Sequence, residues 1–493
     1  MNVLIVLAEM TIPPGDVYGY KYPPLGLACL AGVLKKAGIE AVIEIYRPGE
    51  DPSDWVGRVL AHQPRMVGFS VFIGYKLSNA IILSRLLKEA DPGLPIVWGG
   101  VHPSLVPEQI LSEPSVDYVA IGPGEEMIVP LARAVVNDIP FSEVPALAWR
   151  HGGEFRLNPA RPLTADIASY RPDWRSFPVE EFVVRTEKGE GFLGFFTSRG
   201  CPYRCGFCYN SAFHGRSWFP AEVKILQEEM ELLVRQYEIK GFLFLDDCFF
   251  GSRKRALALL SWLTDNNLFC QNVDLRIDEL DQALLLELRR AGTRSIFIGV
   301  ESGTDRMLRL IRKGITVKEL QKALAVLAGY PESVVLLSCI VGFPTETFRE
   351  MQDSIATIAG LAATRPNTLV QLNGYMPFPG TPLYEQAEAA GFQVPETLDQ
   401  WGKLGEKVLC TGLEHFPGRL TGTQSKYLAR AARYMRLLFC PTEGRSGLRG
   451  MVSRFFGAIA AWRLQHRILW LPADLWCYET LRSASASLRK RDS

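Results

Sequence analysis

Three cysteines in one short run are the residues of this chain best suited to inorganic chemistry. Cys201, Cys205 and Cys208 stand in TSRGCPYRCGFCYN with the spacing C-x3-C-x2-C. Thiolates this close together can converge on one centre, and they select iron–sulfur clusters or zinc. A closed zinc site needs a fourth Cys or His, for which His214 is the nearby candidate. Three ligands leave one iron of a four-iron cluster open, so the run predicts a reactive cluster, with structural zinc as the alternative.

Composition indicates an ordinary globular chain of several domains. Of 493 residues, 47% are hydrophobic and 22% are charged, and the net charge of +1 gives no overall field that would attract nucleic acid. No apolar run reaches the roughly 20 residues of a membrane span, and MNVLIVLAEM is predicted to form a first strand rather than a signal peptide. Ten cysteines without an export signal indicate reduced thiols. We therefore expect a cytoplasmic protein.

The N-terminal segment alternates strand and helix signals. NVLIVL, AVIEIY, MVGFSVFIGY, PIVWGG and VDYVAIG have strand character, and helical runs such as LSNAIILSRLLKEADPG lie between them. This alternation predicts an α/β domain with a doubly wound, Rossmann-like parallel sheet over residues 1–140, with its ligand at the carboxyl ends of the strands. Glycines in the loops SVFIGY, GGVHPS and IGPGEE allow close approach to a large flat or phosphorylated ligand. Residues 141–190, rich in Pro and Arg, are predicted to form a linker.

A second strand–helix series occupies residues 191–390. FLGFFTSRG is the strand that delivers the cysteine loop, and GFLFLDDCFF is a strand that ends in two carboxylates. Six such repeats are too few for a closed eight-fold barrel. Chemistry-bearing side chains are expected at the carboxyl ends of these strands.

The cysteine spacing, with Phe207 before the last cysteine, resembles the cluster motif of the radical S-adenosylmethionine (SAM) enzymes. The resemblance implies a partial (β/α)6 barrel and a [4Fe-4S] cluster held by Cys201, Cys205 and Cys208. It also implies that the open iron chelates SAM, which an electron from the cluster cleaves to a 5′-deoxyadenosyl radical.

The strand ends of the second series resemble the SAM-binding motifs of this family. The resemblance places Asp246 and Asp247 at the SAM amino group, a sensible partner for an ammonium, and Arg276 at the methionine carboxylate. Glu301 and Ser302 suit the ribose hydroxyls or the methionine end. Backbone beside Phe207 and in the stretch CIVGFPTE is implied to flank adenine. The residues of that stretch are Ile340, Gly342 and Glu346, with Ser338 where the family has its first glycine.

The first domain resembles the cobalamin-binding domain that precedes many radical SAM barrels. YPPLGLACLAGVLKKAG, the turn GG-x-H and VDYVAIGPGEE carry this similarity, although the family loop is closer to G-E-G-E. The implied cobalamin-binding residues are Ser70, Val71, Phe72, Gly99, Gly100, Val101, His102, Gly122, Gly124 and Glu125. None of the six histidines lies in D-x-H-x-x-G, so a histidine of that motif is not expected under cobalt. A flavodoxin-like domain that binds another ligand or none is the alternative.

Residues 391–493 are predicted to be mostly helical and carry no ligand motif. The runs LTGTQSKYLARAARYMRLLF and VSRFFGAIAAWRLQHRILW are basic and rich in aromatic residues. A helical cap on the barrel is favoured here over contact with a membrane surface or a lipid-like substrate.

The resemblance implies a cobalamin-dependent radical SAM methyltransferase that acts on an unactivated carbon of a small molecule or natural product. One SAM would methylate cobalamin, and a second would generate the radical that abstracts a substrate hydrogen. Oxidative cyclisation or rearrangement on the same architecture is the first alternative, and a non-catalytic corrinoid- or cluster-binding protein is the second. A flavodoxin or ferredoxin is the implied reductant.

Overall fold

The computed structural model describes residues 4–11, 20–160, 170–365, 367–406, 420–439, 448–470, 472–478 and 480. Parts of the predicted linker and of the C-terminal region lie outside these residues. The chain divides into two compact units. The first unit comprises Met1–Phe269, Pro377–Tyr384 and Val394–Cys410, and the second comprises Cys270–Met376, Glu385–Gln393 and Thr411–Ser493.

The first unit begins with the predicted doubly wound domain. Its elements are β1 (Leu4–Met10), α1 (Leu25–Lys36), β2 (Glu40–Tyr46), α2 (Pro52–Ala61), β3 (Met66–Ser70), α3 (Tyr75–Ala90), β4 (Ile96–Gly99), α4 (Val101–Leu105), α5 (Pro107–Ile110), β5 (Tyr118–Ala120), α6 (Ile128–Val135), β6 (Leu147–His151) and β7 (Glu154–Leu157). The strand order is β2-β1-β3-β4-β5-β6-β7. The pairs among β1–β5 are parallel, and β6 and β7 extend the sheet antiparallel. The strand order reverses between β1 and β3, which is where such sheets bind ligands.

The first unit also contains the start of the second strand–helix series. These elements are β8 (Val184–Arg185), β9 (Gly191–Phe195), β10 (Ser198–Gly200), α7 (Asn210–Phe213), β11 (Trp218–Pro220), α8 (Val223–Tyr237), β12 (Ile239–Phe244) and α9 (Arg253–Asp265). β12 pairs parallel with β9, and β8 pairs antiparallel with β9. Phe192, Leu243 and Phe269 form a buried core under this part of the sheet.

The second unit continues the series. Its elements are β13 (Phe269–Leu275), α10 (Gln282–Arg290), β14 (Ser295–Glu301), α11 (Asp305–Leu310), α12 (Val317–Leu327), β15 (Val334–Val341), α13 (Phe348–Ala362) and β16 (Thr368–Gly374). β13, β14, β15 and β16 pair in parallel in chain order. Together with β9 and β12 of the first unit, they account for the six strands of the predicted partial barrel fold. The unit boundary at residue 269 lies inside the predicted 191–390 core, and the predicted domain boundaries stay predictions.

The remaining described helices belong to both units. They are α14 (Tyr384–Ala389), α15 (Leu398–Gly405), α16 (Gly422–Leu438) and α17 (Leu448–His466). No helix within the described ranges combines the length and the apolar character that crossing a bilayer requires.

Helix α15 returns to the first domain and packs on α3. Trp401 is fully buried there, and its indole Nε1 donates to Gln109 Oε1 at 2.8 Å. Gly405 must be glycine, since an added Cβ would lie 2.5 Å from the Gly74 nitrogen. A capping box between Thr397 and Gln400 begins the helix. A segment about 300 residues away in the chain therefore completes the first unit.

We expect Trp401→Ala to destabilise the protein by about 3–5 kcal/mol, because it leaves a large cavity and an unpaired Gln109 amide. Trp470→Ala, a substitution of a tryptophan that is 71% exposed, should change the free energy of unfolding by less than about 0.5 kcal/mol. Urea unfolding followed by circular dichroism measures both. Equal effects of the two substitutions would contradict the packing of α15.

Candidate active site

The cysteine loop connects β10 to α7 and is held in place by backbone hydrogen bonds. Cys201, Cys205 and Cys208 are all partly exposed. The Cys208 amide donates to the Cys205 carbonyl at 3.3 Å, and the Leu383 amide donates to the Gly206 carbonyl at 3.0 Å. Burial raises the pKa of the Cys208 thiol to about 12. The free thiol therefore keeps its proton until a metal replaces it.

The alternative of a closed zinc site depends on His214 as a fourth ligand. No group of three His, Cys, Asp or Glu side chains in the described part of the chain is arranged around one metal ion. A four-iron cluster does not need such convergence, because each cysteine takes a different iron. His214, the candidate fourth zinc ligand, is buried and its Nδ1 lies 2.6 Å from Asn210 Oδ1. It packs beside Gly200, where its Cβ lies 3.3 Å from the position of an added Cβ.

Two adjacent carboxylates after β12 have different surroundings. Asp246 is buried and accepts hydrogen bonds from the Thr197 amide at 3.0 Å, from Thr197 Oγ1 at 2.7 Å and from Ser198 Oγ. Burial raises its pKa, against the effect of these hydrogen bonds. Asp247 is exposed, and its Oδ2 accepts from the Gly200 amide at 3.0 Å. Asp246 thus holds the end of β9, and Asp247 both anchors the cysteine loop and presents its carboxylate to solvent.

The other predicted SAM residues lie in the second unit. Arg276 Nε donates to Asp278 at 3.0 Å, and its Nη2 donates to the Lys313 carbonyl at 2.9 Å. Glu301 has φ of +69° and accepts from Lys313 Nζ at 3.0 Å and from Ser338 Oγ at 3.1 Å. Such a conformation is strained for a residue other than glycine and is often found at functional sites.

The predicted adenine stretch is a turn built around Glu346. Its Oε2 accepts from the amides of Gly342 at 2.6 Å and Phe343 at 3.1 Å, and burial raises its pKa to about 7. Ile340 lies at the end of β15. Ser302 Oγ is buried and lies 2.8 Å from Ser354 Oγ. Sequence reasoning missed Lys313, whose only signal was its place beside Arg312 in RKGI.

The strand-end loops of the first domain are joined to each other. The Val71 amide donates to the Gly99 carbonyl at 2.8 Å. Gly100 has φ of +96°, and an added Cβ would lie 2.8 Å from the Val71 carbonyl oxygen. Ser104 Oγ donates to the Gly100 carbonyl at 2.7 Å and accepts from the Gly122 amide at 2.9 Å. Three of the predicted cobalamin loops therefore form one surface, and Ser104, which sequence reasoning missed, connects two of them.

His102 carries a buried polar atom with no partner among the described residues. Its side chain is 1% exposed, Nε2 makes no hydrogen bond, and its ring centroid is 5.4 Å from that of Trp401. Burial lowers its pKa to about 3, so the imidazole is neutral. A neutral ring with an unsatisfied nitrogen beside these loops fits a ligand that offers a donor or an acceptor, as the amide-bearing periphery of cobalamin does.

Glu125 and Arg199 form a buried ion pair between the first domain and the cysteine loop. Glu125 lies in the predicted cobalamin loop, and Arg199 precedes Gly200 and Cys201. The Arg199 guanidinium donates to Glu125 Oε1, while Glu125 Oε2 and Arg199 Nη2 have no partner among the described residues. The guanidinium also lies 5.0 Å from the Phe196 ring centroid. Glu125 is thus engaged with the protein itself.

An aromatic contact links the loop after β3 in the first domain directly to the cysteine loop. The ring of Phe72, in the loop after β3, lies 5.8 Å from that of Tyr209, which follows Cys208. Phe378 packs on both rings, at 6.1 and 5.8 Å. The predicted cobalamin loop and the predicted cluster loop are therefore neighbours within the first unit. Of the predicted cobalamin residues, Ser70 and Gly99 end strands, Val101 begins α4, and Gly124 precedes α6.

Comparison with known families agrees with this arrangement. The family model for the B12 binding domain matches residues 13–132, and that for the Radical SAM superfamily matches residues 195–358. A cobalamin-binding domain followed by a radical SAM domain defines the class, and the chain belongs to the cobalamin-binding radical SAM enzymes. Its cofactors are cobalamin, SAM and the [4Fe-4S] cluster of the radical SAM superfamily.

Individual relatives cover most of the chain. The chain is 28% identical over 392 residues to an uncharacterized methyltransferase, PH0819, of Pyrococcus horikoshii, covering 79% of this chain and 83% of the relative. It is 25% identical to the anaerobic magnesium-protoporphyrin IX monomethyl ester cyclase of Rubrivivax gelatinosus, and the match covers 78% of this chain and 70% of that relative. The solved structure of the radical SAM methyltransferase TsrM from Kitasatospora setae, with cobalamin and a [4Fe-4S] cluster bound, has a TM-score of 0.66 at 18% identity. The match covers 99% of this chain and 100% of that structure. This likeness confirms the predicted fold.

The Glu125–Arg199 pair should show strong coupling in a double-mutant cycle. Glu125→Leu or Arg199→Met alone should cost about 3–5 kcal/mol, because each leaves a buried charge without its partner. The double variant should recover most of that loss. Chemical denaturation of the four proteins provides the test, and additive losses would contradict a buried, coupled pair.

His102 should make the apoprotein less stable in mild acid. Its pKa of about 3 in the folded state lies below the ordinary value of 6.5, so the unfolded chain takes up a proton first as the pH falls below that value. Stability should then fall by up to about 1.4 kcal/mol per pH unit between pH 6.5 and 3 relative to His102→Phe. Unfolding curves measured between pH 7 and pH 5 supply the comparison, and parallel losses in both proteins would refute it.

Proposed function

We propose that this chain is a cobalamin-dependent radical SAM methyltransferase that methylates an unactivated carbon of a small-molecule or natural-product substrate. The observation that supports it most directly is the contact between Phe72 and Tyr209, at 5.8 Å between ring centroids. It joins the cobalamin loop and the cluster loop in one compact unit, and transfer of a methyl group requires the two cofactors to act on one substrate. Relatives named as methyltransferases support this reaction.

The protein's own residues would hold and orient the cofactors. When bound, the cluster and SAM supply a 5′-deoxyadenosyl radical, and cobalamin supplies the methyl group. Cys201, Cys205 and Cys208 would ligate three irons. Asp247, exposed beside the loop, would accept hydrogen bonds from the SAM ammonium. Asp246 would not contact SAM itself but would position the neighbouring chain, because its oxygens already accept hydrogen bonds from Thr197 and Ser198.

The residues of the second unit would serve the rest of SAM. Arg276 would pair with the methionine carboxylate, and Glu301 and Ser302 would meet the ribose or the methionine end. Backbone at Ile340 and Gly342 would flank adenine, with Glu346 holding the turn through two amides. The raised pKa of Glu346 lets this carboxyl become neutral near pH 7 beside an aromatic base.

We further propose the accessory features that this reaction needs. The working boundaries are residues 1–140 for cobalamin binding, 141–190 for the linker, 191–390 for the radical SAM core and 391–493 for the helical region. A flavodoxin or ferredoxin would donate the electron. Reduced thiols suit the cytoplasm.

Cyclisation is the second candidate, favoured by one specific observation. The match to the magnesium-protoporphyrin IX monomethyl ester cyclase extends over 406 residues at 25% identity. That reaction type would use the same radical without transfer of a methyl group from cobalamin. The two candidates differ in one product, because only methylation converts SAM to S-adenosylhomocysteine.

The anaerobically reconstituted protein, given reductant and SAM, should form both 5′-deoxyadenosine and S-adenosylhomocysteine, quantified by mass spectrometry. Each of Cys201→Ala, Cys205→Ala and Cys208→Ala should abolish 5′-deoxyadenosine, because the cluster loses a ligand, yet retain cobalamin, which other loops bind. Cys477→Ala, a substitution of an exposed cysteine outside these loops, is the matched control and should leave both products unchanged.

Deoxyadenosine without S-adenosylhomocysteine, measured while substrates are supplied as a panel, would favour the cyclase. Formation of 5′-deoxyadenosine by any of the three loop variants would contradict the assignment of the cluster ligands. Wild-type protein that binds SAM and cobalamin but forms neither product would contradict catalysis itself.

A further inference from the structure

Helix α17 is apolar on two opposite faces. Phe456, Ala460 and Leu464 follow one another at four-residue intervals and are buried, and the helix packs on α13 and α16. Met451, Phe455, Ala458 and Trp462 follow a second stripe with spacings of four, three and four residues, and all of them are exposed. A surface helix normally carries polar residues on the face away from the core. The outer face of α17 is therefore a candidate binding surface.

The exposed side chains of this face are large. Met451 is 60% exposed, Phe455 is 62% exposed and Trp462 is 52% exposed. Farther along the chain, Trp470 is 71% and Trp476 is 58% exposed. Trp462, Trp470 and Trp476 are the three exposed tryptophans among the described residues. We call Met451, Phe455 and Trp462 the aromatic face. Tryptophan has an apolar body and a polar N–H, which suits it to the boundary between lipid and water.

The charged side chains of the two helices at this surface have one sign. Helices α16 and α17 contain Lys and Arg but no Asp or Glu. From residue 420 to residue 493 there are 13 Lys and Arg and 4 Asp and Glu, a net charge of +9, although the whole chain has a net charge of only +1. Lys426, Arg436 and Arg454 are exposed, and Arg454 adjoins Phe455 on the outer side of α17.

This combination favours an anionic surface over a second copy of the chain. Two copies of a surface with a net positive charge repel each other when they meet. An anionic lipid surface attracts the same cations and accepts the aromatic side chains at its headgroup level. We propose that the aromatic face docks α17 in the plane of an anionic lipid bilayer, with Trp462 at the headgroup boundary and the exposed basic residues of α16 and α17 on the lipid phosphates.

The test uses the full-length protein and vesicles of phosphatidylcholine with or without phosphatidylglycerol. We expect co-sedimentation with the phosphatidylglycerol vesicles, little with the neutral vesicles, and a decline as salt screens the charges. Phe455→Ser combined with Trp462→Ser should lower the partition coefficient at least about tenfold. Ile225→Ser combined with Leu232→Ser on α8, where these residues are 39% and 55% exposed, is the matched control and should leave partitioning unchanged.

A second measurement on the unsubstituted protein guards against variants that fail to fold. Brominated lipids should quench tryptophan fluorescence when phosphatidylglycerol is present, since quenching needs direct contact with the acyl region. Equal binding to neutral vesicles, unchanged binding of the Phe455 and Trp462 variant, or absence of quenching would each overturn the proposal. It would also be overturned by a dimer of the wild type, seen in sedimentation, that the same two substitutions dissociate.

Discussion

The geometry of the candidate site depends on two consecutive carboxylates at the end of one strand. Asp246 accepts from Thr197 and Ser198, and Asp247 accepts from the amide of Gly200. The backbone amides of Thr197 and Gly200 and the hydroxyls of Thr197 and Ser198 are thereby held at the end of the neighbouring strand β12. A loop that is to hold an iron–sulfur cluster must present three thiols without secondary structure of its own. The hydrogen bonds of buried Asp246 to the residues that lead into the loop provide part of that rigidity, because a buried charge is stable only while its hydrogen bonds persist.

The first domain meets this loop through contacts of different physical kinds. The Glu125–Arg199 pair is buried and ionic, and its Arg199 stands two residues before Cys201 in the chain. The contact of Phe72 with Tyr209 and Phe378 is aromatic. Ser104 and Gly100 keep the domain's own loops together. Helix α15 closes the same unit from the far end of the chain and buries His102 under Trp401. The predicted cobalamin surface is thus built from segments that are far apart in sequence.

The sequence predicted the features that depend on neighbouring residues and few of those that depend on contacts between distant segments. The C-x3-C-x2-C spacing and the alternation of strand and helix signals act over a few residues, so they predicted the loop and both α/β series. Lys313, Ser104 and Arg199 acquire their roles from partners that are 12, 18 and 74 residues away, and no periodicity records such contacts. The Trp401–Gln109 bond spans 292 positions. The aromatic residues of α17 illustrate the same limit, since a helix with two apolar faces resembles a buried helix until its neighbours are known.

We propose that the three cysteines bind a cluster whose fourth iron is open to SAM, beside a cobalamin held by the same chain. Electron paramagnetic resonance of the anaerobically reconstituted, reduced protein addresses it most directly. We expect about four irons per chain and a reduced-cluster signal whose g-values shift when SAM is added, because SAM then coordinates the open iron. A cluster signal that SAM leaves unchanged, or zinc bound in place of iron, would contradict an open iron that coordinates SAM.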